Sequence, residues 1–243
     1  MKLIPTGIAG LDKLLSGGFI KPSTIYVVGE PGAGKTTLGM QFLSEGARKG
    51  EQGIYFTTIG EKPIFAQTYL ESFDFFDYTY FEKGLIRTVD ISEVLSKGTT
   101  RDGIADMVKN VQKFTPSRVV IDPITPLALL EKDEAEYRRS LFDFFMHMKL
   151  WDCTTILIGE SYSRNGREIQ VEEYLADTVI FLMMKEEMDK INRYLKILKV
   201  RGNSHSSDVT CYTITKAGVK IIKTKRTSEM ELLKGMASYL NKI

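Results

Sequence analysis

The sequence predicts an α/β fold: a mostly parallel central sheet flanked by helices, with a C-terminal antiparallel β extension and a terminal helix. Three observations carry that expectation. Continuous apolar runs at Thr24 to Val28, Gly53 to Thr58, Arg118 to Asp122 and Thr154 to Gly159 alternate with segments of helical periodicity, as strands buried on both faces between crossover helices do. Gly29-Glu30-Pro31-Gly32-Ala33-Gly34-Lys35-Thr36 stands between the first of these runs and a helical pattern, and so reads as a strand-to-helix turn. From Thr178 the pattern changes to short runs with short links, which favour antiparallel pairing.

In chain order, Leu11, Leu14 and Leu15 stand at helical spacing and Gly17-Gly18 ends the turn, so a short helix is expected against a sheet edge. After the glycine-rich turn, Leu38, Met40, Gln41, Phe42 and Leu43 mark a helix that stops near Gly50. Gly53 to Thr58 is a strand with Gly60 and Glu61 at its carboxyl end, and a helix is expected from about Pro63. The aromatic segment Phe73 to Phe81 reads as core. Leu85 to Val89 is a strand and Asp102 to Phe114 a helix. Asp122 closes the next buried strand, and Pro123 biases it to an extended conformation. Asp133 to Trp151 is a long helix with Leu141, Phe144, Phe145, Met148 and Trp151 on one face, and His147 within it reads as a surface or packing residue. Thr154 to Gly159 ends in Glu160, and Ser161 to Glu173 is a polar loop. Strands follow at Thr178 to Met184, Tyr194 to Val200, Cys211 to Ile214 and Val219 to Ile222. The tail from Ser228 to Ile243 carries Leu232, Leu233, Met236, Tyr239 and Leu240 at helical spacing. Neither an internal repeat nor an interdomain linker interrupts the chain, so residues 1–243 are expected to form one domain.

Composition excludes several classes. The chain has 243 residues, 43% of them hydrophobic, enough for a sizeable core. A net charge of +2 is too small to indicate a nucleic-acid footprint. Cys153 and Cys211 lie far apart without zinc-ligand or CxxC spacing, so two buried, reduced thiols are expected. The N-terminus lacks a signal-peptide core and no window approaches the length of a membrane span, which makes a cytoplasmic protein the expectation.

The octapeptide fits GxxxxGKT, and each residue type has a physical job. Glycines let backbone N–H groups curl around phosphates, Lys35 reaches the terminal phosphates, and the Thr36 hydroxyl can ligate Mg²⁺. Glu30, Pro31, Gly32, Ala33, Gly34, Lys35, Thr36 and Thr37 are the expected nucleotide-binding residues, at the positive end of a helix. In an open parallel sheet ligands sit beyond the carboxyl ends of strands, which places Glu61 and Asp122 at the same rim. Asp122 is the expected metal partner of Thr36, and Glu61 the group facing a γ-phosphate.

Several motifs in order resemble the RecA-like P-loop ATPases and, within them, the KaiC-like family. They are Thr6-Gly7-Ile8 with Leu11-Asp12 and Gly17-Gly18, the phosphate loop, Gln41-Phe42-Leu43, Gly53-Ile54-Tyr55-Phe56, Val120-Ile121-Asp122, and Lys199-Val200-Arg201-Gly202-Asn203-Ser204-His205, which looks like the family's KLRGTSH segment. The resemblance covers nearly the whole chain. It implies ATP and Mg²⁺ as ligands and a homo-oligomeric ring, usually a hexamer, with ATP between subunits. The counterparts of Lys199, Arg201 and His205 reach onto the nucleotide held by the next protomer, where added cations act as an arginine finger does and are worth roughly 10³ or more in rate. Lys35, Glu61, Lys199 and Arg201 are therefore the expected catalytic set.

Two departures bear on turnover. Members of the family commonly carry adjacent glutamates after the second core strand, where this chain has Gly60 before Glu61, and serine after the strand-end aspartate, where it has Pro123. Loss of a positioned base is worth about 10² to 10⁴ in rate, so hydrolysis is expected to be slow. The two-domain protein for which the family is named autophosphorylates near its second site. No segment here maps onto those phosphosites, so neither kinase activity nor a circadian role carries over. Two alternatives remain at this level: an ATP-gated assembly switch recruiting a protein partner with negligible turnover, and a RecA-like DNA-handling ATPase using Arg164 and Arg167. Glu168, Glu172 and Glu173 in the same segment count against the second.

Overall fold

A computed structural model describes residues 2–58, 68, 70–160, 170–187 and 190–222. At the N-terminus β1 (Lys2–Ile4) and β2 (Phe19–Lys21) pair antiparallel as a small separate sheet, with α1 (Leu11–Leu14) between them in sequence. The parallel strands are β3 (Thr24–Gly29), β4 (Gly53–Thr57), β5 (Ile86–Asp90), β6 (Arg118–Asp122), β7 (Thr154–Glu160) and β8 (Thr178–Glu187). Their spatial order is β5-β4-β6-β7-β3-β8. β9 (Lys190–Val200), β10 (Thr210–Thr215) and β11 (Gly218–Ile221) continue the sheet antiparallel beyond β8. The mostly parallel sheet with its antiparallel extension is thus the architecture expected from the apolar runs.

Helices cover both faces. α2 (Lys35–Arg48) packs on one side, where Phe42, Leu38 and Leu43 meet Val27, Val120, Ile156 and Ile158. On the other side lie α5 (Thr100–Phe114) and α7 (Glu134–Leu150), whose Met107, Val111, Leu141 and Phe144 meet Val28, Phe56, Val119 and Ile121. Strands β3, β4 and β6 are buried throughout, because both their faces are covered by helices. Shorter helices are α3 (Thr79–Glu82), α4 (Ser92–Lys97), α6 (Thr125–Leu130) and α8 (Val171–Leu175).

Where the elements differ from expectation, local chemistry accounts for it. α5 begins at Thr100, ahead of the expected Asp102, because Thr99 and Asp102 form a capping box, with the Thr99 N–H donating 2.8 Å to the Asp102 carboxylate. β9 begins at Lys190 and not Tyr194, since the ladder with β8 continues through the polar pairs Glu187↔Lys190 and Lys185↔Asn192. That arm projects past β3 and needs no apolar pattern to hold its backbone bonds. Part of the expected loop at Ser161 to Glu173 is helical: α8 starts at Val171, with the Glu173 side chain accepting from the Gln170 N–H. The aromatic segment packs on the core through Phe73, Phe75, Phe76, Tyr80 and Phe81, whereas Tyr78 is exposed. Cys153 is buried as expected and Cys211 only half-buried. His147 is exposed and lies beside the Trp151 ring. The helices expected from Pro63 and over Ser228 to Ile243 lie outside the described residues. Among the described residues no helix is long and apolar enough to cross a membrane.

Two buried polar contacts tie the layers together. Arg118, at the start of β6, is fully buried. Its guanidinium bonds Glu51 at 2.6 Å and donates to the carbonyls of Pro5 and Phe42 at 3.0 and 2.9 Å, which locks the N-terminal segment and α2 to the sheet. On the opposite face the Tyr26 hydroxyl reaches from β3 to Gln170 at the start of α8. Gly159 in β7 makes room for it, since a Cβ there would collide with that hydroxyl. Gly159→Ala is expected to destabilise the fold by about 1 to 3 kcal/mol through overpacking, read as a lower denaturant midpoint with an unchanged slope.

Candidate nucleotide site

The expected loop joins β3 to α2. Gly32 and Gly34 sit at φ +80 and +86, in the left-handed region that favours glycine. At Gly34 the neighbourhood is also closed, for an added Cβ would stand 2.5 Å from Ile214 Cδ1. Gly34 is the N-cap of α2 and no side chain caps it, so the first-turn amides of Lys35, Thr36 and Thr37 stay at the loop as donors. The Lys35 ammonium lies inside the loop, donating to the Gly29 and Glu30 carbonyls at 2.8 and 3.0 Å. Burial lowers its pKa, against the pull of the Asp122, Glu160 and Glu30 carboxylates.

Register brings the rim together. Gly29 of β3 pairs with Glu160 of β7, and Thr57 of β4 with Asp122 of β6, so the carboxyl ends of four neighbouring strands meet at the loop. Thr36 Oγ1 donates to Asp122 Oδ2 at 2.6 Å, and Tyr55 Oη donates to the same oxygen at 2.9 Å. Asp122 is 8% exposed. Desolvation raises its pKa, opposed by those two hydroxyls and by Lys35, and reinforced by Glu160. A carboxylate and a hydroxyl converging in this way are hard oxygen donors of the kind Mg²⁺ takes, alongside phosphate oxygens. Among the described residues no group of three or more His, Cys, Asp or Glu is placed to hold a metal ion by itself. Thr58 closes the same corner by donating to the Pro123 carbonyl at 2.7 Å.

The remaining expected residues fall elsewhere. Lys199 pairs across β8 with Val179, which pairs with Tyr26, while the Arg201 N–H bonds Asp177, whose carboxylate accepts from the Thr24 N–H. Arg201 is therefore level with the start of β3, five residues below Gly29, which at about 3.3 Å per residue is roughly 17 Å from its own phosphate loop. Both cations are turned onto the C-terminal carbonyls of α8. Lys199 Nζ donates to Glu173 and Tyr174 at 2.9 and 3.1 Å, and Arg201 to Tyr174 and Leu175 at 2.7 and 3.2 Å. Burial lowers the Lys199 pKa, and the Arg201 charge lowers it further. His205 bonds the Ser206 carbonyl at 3.0 Å, in a turn held on α1 by Ser206 N–H to Leu14 and Asn203 to Leu15. The N-terminal motif and the Lys199 to His205 segment thus meet in space. Glu61, Arg164 and Arg167 lie outside the described residues.

Sequence reasoning passed over Tyr55, Gln41 and Tyr212 as site residues. Gln41 takes the Val219 N–H at 2.7 Å and faces the Val219 carbonyl at 3.3 Å, fastening α2 to β11. Tyr212 donates to the Ala33 carbonyl at 2.6 Å. A buried amide on an otherwise apolar helix stripe was a readable signal for Gln41. Tyr55 and Tyr212 sit in β-runs where an aromatic is expected for packing alone.

Comparisons with known proteins agree with this geometry. The family model described as "ATPase: KaiC" matches residues 4–226. The chain is 29% identical to UPF0273 protein MK0039 of Methanopyrus kandleri, over 90% of this chain and 91% of that protein. It is also 29% identical to the circadian clock oscillator protein KaiC of a Picosynechococcus species, spanning 93% of this chain but 44% of that longer protein. The crystal structure of the KaiC-like protein PH0186 from Pyrococcus horikoshii superposes with a TM-score of 0.78 at 29% identity, covering 91% of this chain and 99% of the other.

The raised pKa of Asp122 has a consequence for stability. The folded state holds this proton more tightly than the unfolded chain does, so ionisation costs stability as pH rises above the ordinary carboxylate value. Asp122→Asn, without nucleotide or metal, is expected to melt a few degrees higher than the parent at pH 7, about 2 to 4 °C per kcal/mol in a chain of this size. The gain should shrink towards zero as the pH falls below about 4, where the parent carboxyl is protonated in both states.

Proposed function

This chain belongs to the KaiC family of ATPases, and from that premise we propose that it binds ATP with Mg²⁺ and hydrolyses it slowly as a homo-oligomeric ring, a hexamer by analogy with the family. The observation that carries the reading is the Thr36 hydroxyl resting on the buried Asp122 carboxylate at 2.6 Å, beside a phosphate loop with its lysine in place. Glu30 and Pro31 open the loop, the backbone N–H groups from Gly32 to Thr37 cradle the triphosphate, and Lys35 exchanges its loop carbonyls for β- and γ-phosphate oxygens. Thr36 and Asp122 hold the metal, which when bound neutralises charge on the phosphates. Tyr55 orients the Asp122 carboxylate from behind. Glu61 orients or deprotonates the attacking water, and the lone glutamate after Gly60 together with Pro123 accounts for slow turnover.

Lys199 and Arg201 act on a neighbour's nucleotide. Strand register supports this, since both lie towards the far end of the sheet from their own loop and turn their side chains onto α8. His205 follows them in the same segment and completes that contact. The site is therefore whole only between two copies, and residues 1–243 act as one ATPase domain per copy.

Two outcomes are expected. Glu61→Gln should lower steady-state phosphate release by about 10²-fold or more with ATP binding retained; turnover equal to the parent would remove Glu61 from the mechanism. Lys35→Ala and Arg201→Ala proteins, each inactive alone, should regain partial turnover when mixed, because an Arg201→Ala subunit supplies an intact loop and a Lys35→Ala subunit the intact cation. Absence of rescue between two folded, co-assembling variants would sink the shared site, as would a monomer in sedimentation at saturating ATP.

A further inference from the structure

We propose that Tyr212 is a positioning residue for nucleotide binding, its hydroxyl setting the peptide plane between Ala33 and Gly34 in the phosphate loop. The inference rests on the ATP-binding reading above and adds a residue to it. Tyr212 lies on β10, is 3% exposed, and donates to the Ala33 carbonyl at 2.6 Å. In a trans peptide the carbonyl of one residue and the N–H of the next point in opposite directions across one rigid plane. A donor that holds the Ala33 carbonyl on the β10 side therefore turns the Gly34 N–H the other way, to the hollow of the loop where phosphate oxygens bind.

Glycine makes such an anchor necessary. With Gly32 and Gly34 on either side, the Ala33 peptide units have few steric barriers to rotation, and a loop free to rotate would lose backbone entropy at the moment of binding. The C-terminal strands remove that freedom beforehand from several directions. Ile214 of β10 packs against Gly34, and Arg193 of β9 reaches the Gly32 carbonyl at 3.5 Å. The hairpin that presents Tyr212 is itself fastened to α2 through Gln41 and Val219, so hydroxyl and loop are held in one frame. The burial that raises the Tyr212 pKa also keeps the phenol a neutral donor across the working pH range.

The test is Tyr212→Phe in the full chain, which removes one oxygen and leaves the ring in the core. ATP binding with Mg²⁺, measured by calorimetry, should weaken about 3- to 10-fold, the worth of one buried hydrogen bond, with KM rising by the same factor and kcat unchanged. Tyr212→p-aminophenylalanine, which restores a donor at the same place, should recover affinity to within about twofold. If Tyr212→Phe binds ATP as tightly as the parent, whatever its melting temperature, or if the amino variant binds no better than the phenylalanine one, the inference is overturned. A parent that itself fails to bind ATP would instead bring down the functional reading from which this one starts.

Discussion

Asp122 is a carboxylate carried to the end of a fully buried strand and left with little water. Its environment pushes the proton affinity up, and the groups that make ionisation tolerable are the hydroxyls of Thr36 and Tyr55 and the ammonium of Lys35. An ionised carboxylate is costly in such a setting, and on the proposed ATP-binding reading a divalent ion and a triphosphate supply the charge and ligands that water no longer does. The rest of the molecule can be understood as what is needed to hold those four groups in place. Register among β3, β4, β6 and β7 aligns the strand ends, and the burial of those strands under helices keeps the register from slipping by a residue.

Around that rim the antiparallel extension has a role that its polar, uneven sequence does not advertise. β8 pairs parallel with β3, and β9 to β11 then fold back so that Tyr212, Ile214 and Val219 surround the phosphate loop and α2. The same strands carry Lys199 and Arg201 towards the opposite end of the sheet. One extension therefore braces the loop of its own chain and presents two cations at a distance from it. Within one chain those cations are satisfied by the last carbonyls of α8, a favourable place for positive charge. On the proposed ring reading the phosphates of a neighbour compete for the same two side chains.

Much of the fold was legible because its signals are local. Apolar runs closed by Asp122 and Glu160, glycines spaced for a phosphate loop, and short links after Thr178 each follow from covalent chemistry or burial within a few residues. Less legible were α8, whose five residues follow a polar stretch, and the beginning of β9, whose ladder runs through charged pairs. In α8 side-chain hydrogen bonds, and in β9 the backbone ladder, outweighed the side-chain pattern. Glu61 is legible only by its place after a strand, and it lies outside the described residues.

By itself the sequence determined the family, the parallel sheet and the phosphate loop, since a glycine-rich turn ending in Lys-Thr between a buried strand and a helix has few other physical uses. Only the tertiary structure decided that Tyr55 and Thr36 share one oxygen of Asp122, that Tyr212 holds Ala33, and that Arg201 lies a strand's length from its own loop. Those facts depend on pairings between residues up to 179 positions apart in the chain. Register and crossover order set such distances, and neither is written in any short stretch of residues.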